Sequence, residues 1–308
     1  MKRCAEADTI PRRDDRPYLV RGGSFSYYLV LPAFIIVLLI LGFPLLFNLY
    51  LSFTDASSFT GITSPNFVGL KNYFYVFSEN RFHQAMHLVL VWTSSNLALQ
   101  MTLGLLLAIY LNDSESPLAS FFQSVWLIPW VVPGVAAFYS WYLLYHPQIG
   151  QFHEWLSGAG IIDRAILADP TNAIWGVIAA AVWKGFPFYM VVFYSGLQAV
   201  SPDLYDAARV DGANRWHVFW FIELPELAAV AGPAAVLGFI WIFNWFTPIY
   251  VMTEGGPGGT TTTVSYYVFE EALRRFRFGT AAVAGTALVI IVTICFLVFS
   301  FLSRQGSE

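Results

Sequence analysis

Polar and apolar positions separate in this chain over tens of residues. No Asp, Glu, Lys or Arg occurs in 22–54, 82–112, 116–153, 227–253 or 278–303. A helix needs about 20 apolar residues to cross the hydrocarbon core of a bilayer. Within lipid each backbone polar group must be bonded inside its own segment, so windows of this length read as helices. The pattern predicts six spans, at 26–53, 86–111, 121–145, 174–200, 227–252 and 278–302. The expected class is all-α and polytopic. A polar segment 1–25 precedes a membrane domain 26–303, and a short tail 304–308 follows it.

Composition points the same way. The 308 residues are 57% hydrophobic and only 12% charged, against about 25% charged in soluble domains. The 28 Phe, 16 Tyr and 11 Trp suit interfacial belts and a ligand pocket equally, so their number does not discriminate. Cys4 and Cys295 offer no disulfide framework. A net charge of −4 gives no footing for nucleic acid. The first apolar run exceeds a signal-peptide core and no small-x-small cleavage site closes it, so it reads as a retained span.

Charge also sets the expected orientation. Lys2, Arg3, Arg12, Arg13, Arg16 and Arg21 precede the first span, which places that end in the cytoplasm by the positive-inside rule. Six spans return Arg304 to the same side. Loop 201–226 is then inside, and 55–85, 146–173 and 253–277 are outside. Arg274, Arg275 and Arg277 run against the bias, leaving nine basic residues inside and six outside. The localisation expected is a bacterial inner membrane with both termini cytoplasmic.

The inner loop 201–225 is the most polar stretch of the second half. Ser201 can cap a helix, Pro202 suits its first position, and Asp203 favours the positive end of the dipole. "LYDAARV" continues that helix, Gly212 breaks it, and "NRWHVFWFIEL" resumes helix. Trp216, Phe219 and Trp220 fall on one face, and Pro225 marks the start of the fifth span. The product is a helix–turn–helix knob with an apolar side for docking and a polar side for water.

"DAARVDGANRWHVFWFIELP" resembles the cytoplasmic signature loop of permease subunits of binding-protein-dependent ABC importers. That signature runs Glu-Ala-Ala, three residues, Gly, then a hydrophobic stretch ending in Leu-Pro. Asp206, Ala207 and Ala208 match its start with Asp for Glu. Asp211, Gly212 and Ala213 match its centre, and Ile222, Leu224 and Pro225 its end. A second proline common four residues later is replaced by Ala229. "NFVGLKNY", "LIPWVVPG", "VWKGFPF", "GLQAVSPDLYDAA" and "YVMTEGGPGG" stand in that order along the chain and are similar to the sugar-permease branch, that of the maltose and glycerol-phosphate systems. The resemblance covers roughly 28–303 and implies a type I importer permease core. It also implies that Asp206, Ala207, Ala208, Arg209, Asp211, Gly212, Ala213 and Pro225 form the surface that couples to an ATPase.

No G-x-x-x-x-G-K-[ST] stretch occurs, so the chain lacks a phosphate-cradling loop and is not expected to be an enzyme. It is expected to bind no cofactor, with ATP and Mg held by a partner. The partners implied are a second, different permease, two ATP-binding subunits, an extracytoplasmic sugar-binding protein and the bilayer.

The expected substrate path rests on Lys184, the only charged residue well inside a predicted span. An intramembrane charge points to function, though snorkelling or internal pairing also accommodates it. Asn244 is a second polar candidate within the fifth span. Trp183, Trp245, Thr247 and Tyr250 flank these two, an aromatic and polar mixture that suits sugar hydroxyls and ring faces. Pro133, Pro187 and Pro248 can free backbone carbonyls for a cavity. Asn96 and Gln100, four apart, read as helix-to-helix hydrogen-bonding groups. His83 and His87 share a face but lack the Glu of a zinc-protease motif. A lone secondary transporter or channel is the alternative. It would need inverted repeats or several intramembrane ionisable groups. A membrane enzyme would need an acid–base set that the chain does not display.

Overall fold

A computed structural model describes residues 25–114, 116 and 118–305. The polar segment 1–25, apart from its last residue, lies outside the described residues, as do its six basic side chains, Cys4 and the end of the tail. Among the described residues the structure is helical, with two isolated β-bridges and no strand. The helices are α1 (Phe25–Val37), α2 (Phe43–Ser52), α3 (Lys71–Ser78), α4 (Asn80–Asp113), α5 (Leu118–Val131), α6 (Gly134–Leu144), α7 (Gln151–Gly158), α8 (Ala173–Gln198), α9 (Pro202–Val210), α10 (Arg215–Val218), α11 (Leu224–Phe243), α12 (Thr247–Met252), α13 (Val264–Phe269) and α14 (Phe278–Gln305).

The chain divides into two units, residues 1–47 and 48–308. The first carries the start of the apolar segment Tyr27–Ser52, of mean hydropathy 2.9. Its side chains from Tyr27 to Phe47 are exposed except at Gly42, a surface suited to lipid tails. A π-helical turn, Leu38–Gly42, joins α1 to α2.

In the second unit α4 and α8 form the central pair. They approach closely because small residues meet there: a Cβ on Gly104 would lie 2.7 Å from the Met190 amide. Small side chains let membrane helices gain dispersion contact that lipid cannot supply. Gln100 donates to the Ala181 carbonyl of α8 at 3.3 Å, the helix-to-helix role expected of it. Asn96, expected to act likewise, bonds only within α4 among the described residues, accepting from Gln100 at 3.3 Å and donating to the Trp92 carbonyl at 2.9 Å. Trp92 Nε1 donates to the Ile242 carbonyl at 2.9 Å, tying α4 to α11.

Among the described residues five helices, or six with a bent pair counted as one span, are long and apolar enough to cross a membrane. The order matches the expectation, but three spans are corrected. The second begins at Asn80, not 86, because Arg81 is neutralised by Glu270 at 2.7 Å and need not face lipid. The third is not continuous: α5 and α6 meet at 96°. Pro133 has no N–H for the Pro129 carbonyl, so the ladder stops there. The fifth starts at Arg215 and stops at Phe243, with 244–246 outside helix before α12. Pro225 stands in the first turn of α11, as expected, but within the longer helical run that begins at Arg215. The preceding π-turn, Phe219–Glu223, bonds the Leu224 amide to the Phe219 carbonyl. Its wider turn accommodates the proline that would otherwise break an α-helical ladder.

Candidate functional site

The knob is built from backbone chemistry. Ser201 Oγ accepts from the Asp203 amide at 3.3 Å, and Pro202 opens α9. At the other end the Gly212 amide donates to the Arg209 carbonyl at 3.1 Å, and the Ala213 amide to the Ala208 carbonyl at 2.9 Å. This paired closure requires a left-handed residue at the turn, and Gly212 has φ +74°. Asn214 then caps α10, its Oδ1 accepting from the His217 amide at 3.0 Å. Asp206, Ala207, Arg209, Asp211 and Gly212 are exposed, while Ala208 is buried. Trp216, Trp220 and Phe221 stand exposed beyond the turn. Phe219 packs edge-on against both tryptophans, as expected, with ring centres 6.3 Å from Trp216 and 5.4 Å from Trp220, and is itself half-buried.

Behind the knob lies an ion-pair cluster that the sequence reading missed. Glu223, with no exposed side-chain surface, accepts from Arg215 Nη1 at 2.8 Å. Tyr205 Oη donates to its other oxygen at 3.3 Å. Burial, then the adjacent Glu223 carboxylate, raises the Tyr205 phenol above its ordinary pKa and keeps it a donor. Arg215 Nε reaches Asp113, the last residue of α4, at 2.8 Å. No periodicity announces this cluster, since its members come from three helices. The one available signal was Glu223, an acid within an otherwise apolar run.

A cavity of about 250 Å³ opens where α4, α5, α8 and α11 converge. α8 supplies Lys184, Gly185, Phe188 and Tyr189; α11 supplies Gly238, Trp241 and Ile242, followed by Trp245; Gln100 and Trp130 complete the wall. Gly185 is needed because a Cβ there would overlap the Gln100 carboxamide, and Gly238 because one would overlap the Tyr189 hydroxyl. That hydroxyl is buried and has no hydrogen-bond partner among the described residues. Lys184 Nζ donates to the carbonyls of Val132 at 2.6 Å, Pro129 at 3.2 Å and Trp130 at 3.5 Å. The ammonium thus caps the end of α5, where the proline break leaves carbonyls without amide partners.

Of the expected path residues, Lys184 and Trp245 line this cavity. Trp183 packs edge-on against Trp141 on α6, with ring centres 5.7 Å apart. Thr247 neighbours Gly134, outside the cavity lining. Tyr250 is exposed and stacks on Phe246 at 5.0 Å. Asn244 is exposed rather than buried, and its Nδ2 donates to the Ile240 carbonyl at 2.9 Å. Extending a regular helix to 252 had placed Asn244 inside the span; the break after Phe243 turns it outward. Gly238, Trp241, Ile242 and Trp245 stand at i, i+3, i+4 and i+7, so a helical-face reading of 227–245 could have found the α11 wall.

The loop basics that ran against the charge bias are all engaged. Arg274 pairs with Glu254 at 2.5 Å, and Arg275 with Glu270 at 3.3 Å and Glu271 at 3.2 Å. Arg277 donates to Tyr75 Oη at 3.0 Å. Glu271 is fully buried, and Tyr267 Oη donates to Glu79 at 2.5 Å. Burial, then the Glu79 carboxylate, pushes the Tyr267 phenol up. His83 Nε2 contacts the Phe77 carbonyl at 2.8 Å.

Comparison with known proteins follows these features. The trehalose/maltose transport system permease protein MalF of Thermococcus litoralis is 33% identical over 279 residues, covering 90% of this chain and 94% of that protein. The galactooligosaccharides transport system permease protein GanP of Bacillus subtilis is 28% identical over 299 residues, covering 92% of this chain and 69% of that one. The same fold occurs in a bacterial ABC transporter involved in the import of the acidic polysaccharide alginate. It aligns with a TM-score of 0.81 at 22% identity, over 92% of this chain and 96% of the other. Residues 100–305 match the family described as the binding-protein-dependent transport system inner membrane component, so the knob, the cavity and the helices that carry them belong to a member of that family.

Proposed function

We propose that this chain is the transmembrane subunit of an ATP-driven importer of a sugar or sugar derivative. It forms half of the translocation path and couples to a separate ATPase through the knob at 201–225. The observation that carries the substrate class is the cavity. Trp130, Phe188, Trp241 and Trp245 offer ring faces, and the Tyr189 hydroxyl is buried there without a partner among the described residues. Sugars present apolar ring faces and hydroxyls, which such a wall complements. The sugar names of the relatives support the same class.

The chain sits in the inner membrane with both termini cytoplasmic. A second permease completes the path as a heterodimer, two ATP-binding subunits hold ATP and Mg, and an extracytoplasmic binding protein delivers the sugar. Asp206, Ala207, Arg209, Asp211, Gly212 and Ala213 present the knob to the ATPase, while the buried Ala208 lies behind that surface and Pro225 holds its stem. Lys184 shapes the cavity wall. ATP binding shifts the outward–inward equilibrium only if the ATPase binds the knob differently in the two states.

The test is uptake of radiolabelled trehalose, maltose and maltodextrin into liposomes holding the complete complex. ATP-dependent uptake of one of them is expected, lost in Trp241→Ala complexes of normal subunit composition. Tyr189→Phe should raise KM by roughly 2- to 12-fold, the equivalent of one hydrogen bond of about 0.5–1.5 kcal/mol. Uptake by the chain without an ATPase, or unchanged uptake in Trp241→Ala, would overturn the proposal.

A further inference from the structure

We infer that Arg215, Asp113 and Glu223 form a clamp that carries movement of the knob into α4, a helix that is not its neighbour along the chain. The knob is joined through the chain only to α8 and α11. Its sole charged link to α4 among the described residues is Arg215, whose guanidinium bridges Asp113 at 2.8 Å and Glu223 at 2.8 Å. Beside it, Gln198 at the end of α8 donates to Asn112 of α4 at 3.4 Å. The inner ends of α4, α8 and α10 are thereby gathered at one point.

Charge at this point needs a reason. Glu223 has no exposed side-chain surface, and apolar residues in place of a whole buried ion pair often serve stability as well or better. A planar fork bridging two carboxylates supplies what apolar packing does not: a fixed direction between two elements. The same three spans are then bonded again further along, at Gln100 with Ala181 and at Trp92 with Ile242. These contacts flank the cavity, to which α4 contributes Gln100. A displacement of the knob therefore moves α4, α8 and α11 as one body, cavity wall included. Arg215, Asp113 and Glu223 are positioning residues in this scheme; none lines the cavity.

The inference rests on the knob being the link to an ATPase, and the experiment separates the two. In a Cys4→Ser/Cys295→Ser background, spin labels at Tyr110→Cys on α4 and Val210→Cys on the knob report their separation in the full complex, with and without trapped ATP. A single narrow distance, unchanged by ATP, is expected. Asp113→Asn should broaden or shift it under ATP and lower binding-protein-stimulated ATP hydrolysis at least about fivefold, the lower end of typical coupling between sites. Subunit composition should stay normal. Asp113→Glu should restore both readouts, whereas Arg215→Lys should not, because a point donor cannot bridge two carboxylates. A narrow distance and full stimulation in Asp113→Asn, with Gly212→Asp uncoupled, would overturn the clamp alone. Full stimulation in Gly212→Asp would overturn the coupling reading beneath it.

Discussion

Gly212 shows how much one position can fix. Its φ of +74° closes α9, and the space where a Cβ would stand is empty within the chain. A side chain there costs about 1–2 kcal/mol from backbone strain alone, with no clash inside this subunit. Any larger penalty must come from a partner surface. Gly212→Ala is therefore expected to insert normally and to lose little ATPase stimulation. Gly212→Asp, bulkier and charged, should lose most of it, as read in reconstituted complexes with subunit stoichiometry checked. Equal activity of the two variants would show that no partner packs against this turn. The Asp206–Arg209 pair beside it, 3.1 Å apart and largely exposed, is worth under about 1 kcal/mol, so Arg209→Ala should be mild.

At the scale of elements, the broken third span and Lys184 are one device. Pro133 removes the amide that the Pro129 carbonyl would use, and Lys184 supplies a proton in its place. Two further carbonyls at the bend depend on the same ammonium. Its charge is offset by the negative end of α5; no carboxylate lies within salt-bridge distance among the described residues. Lys184→Met leaves those carbonyls unbonded beside an apolar cavity and is expected to cost about 1–3 kcal/mol. Thermal unfolding of the purified complex should register this as a lower Tm. Lys184→Arg, which keeps the donors, should stay near the parent. A Lys184→Met variant with the parent Tm and altered sugar selectivity would instead make the lysine a substrate contact.

For the whole molecule, orientation decides which partners each face can meet. The loop arginines that opposed the positive-inside pattern are held by Glu254, Glu270, Glu271 and Tyr75. Lys and Arg count toward topology whether or not they are paired, and the first span usually dominates, so the expected orientation rests on the N-terminal basic residues. A cysteine at Val210, 88% exposed at the end of α9, should react with a membrane-impermeant maleimide only after the cytoplasmic face is opened. The background is Cys4→Ser/Cys295→Ser. Labelling in intact cells would invert the molecule. It would also separate the knob from any cytoplasmic ATPase.

Sequence alone determined what depends on local chemistry. Long charge-free runs must be helical in lipid, so the number and order of spans follow from them. Ser201, Pro202 and Gly212 act through their own backbone geometry, and the caps they make were legible residue by residue. The resemblance of 206–225 to a known loop supplied the coupling reading that its polarity alone could not. Tertiary structure decided everything that needs two distant segments at once. Asn244 faces outward because the helix stops at Phe243, a break that hydropathy does not register. The acid of Glu223 is tolerated because Arg215 and Tyr205 enclose it. The cavity exists because glycines at 185 and 238 leave room for side chains from other parts of the chain, the Gln100 carboxamide and the Tyr189 hydroxyl. Such relations are set by packing between helices, where the partner of a residue lies tens of residues away and its periodicity carries no trace of it.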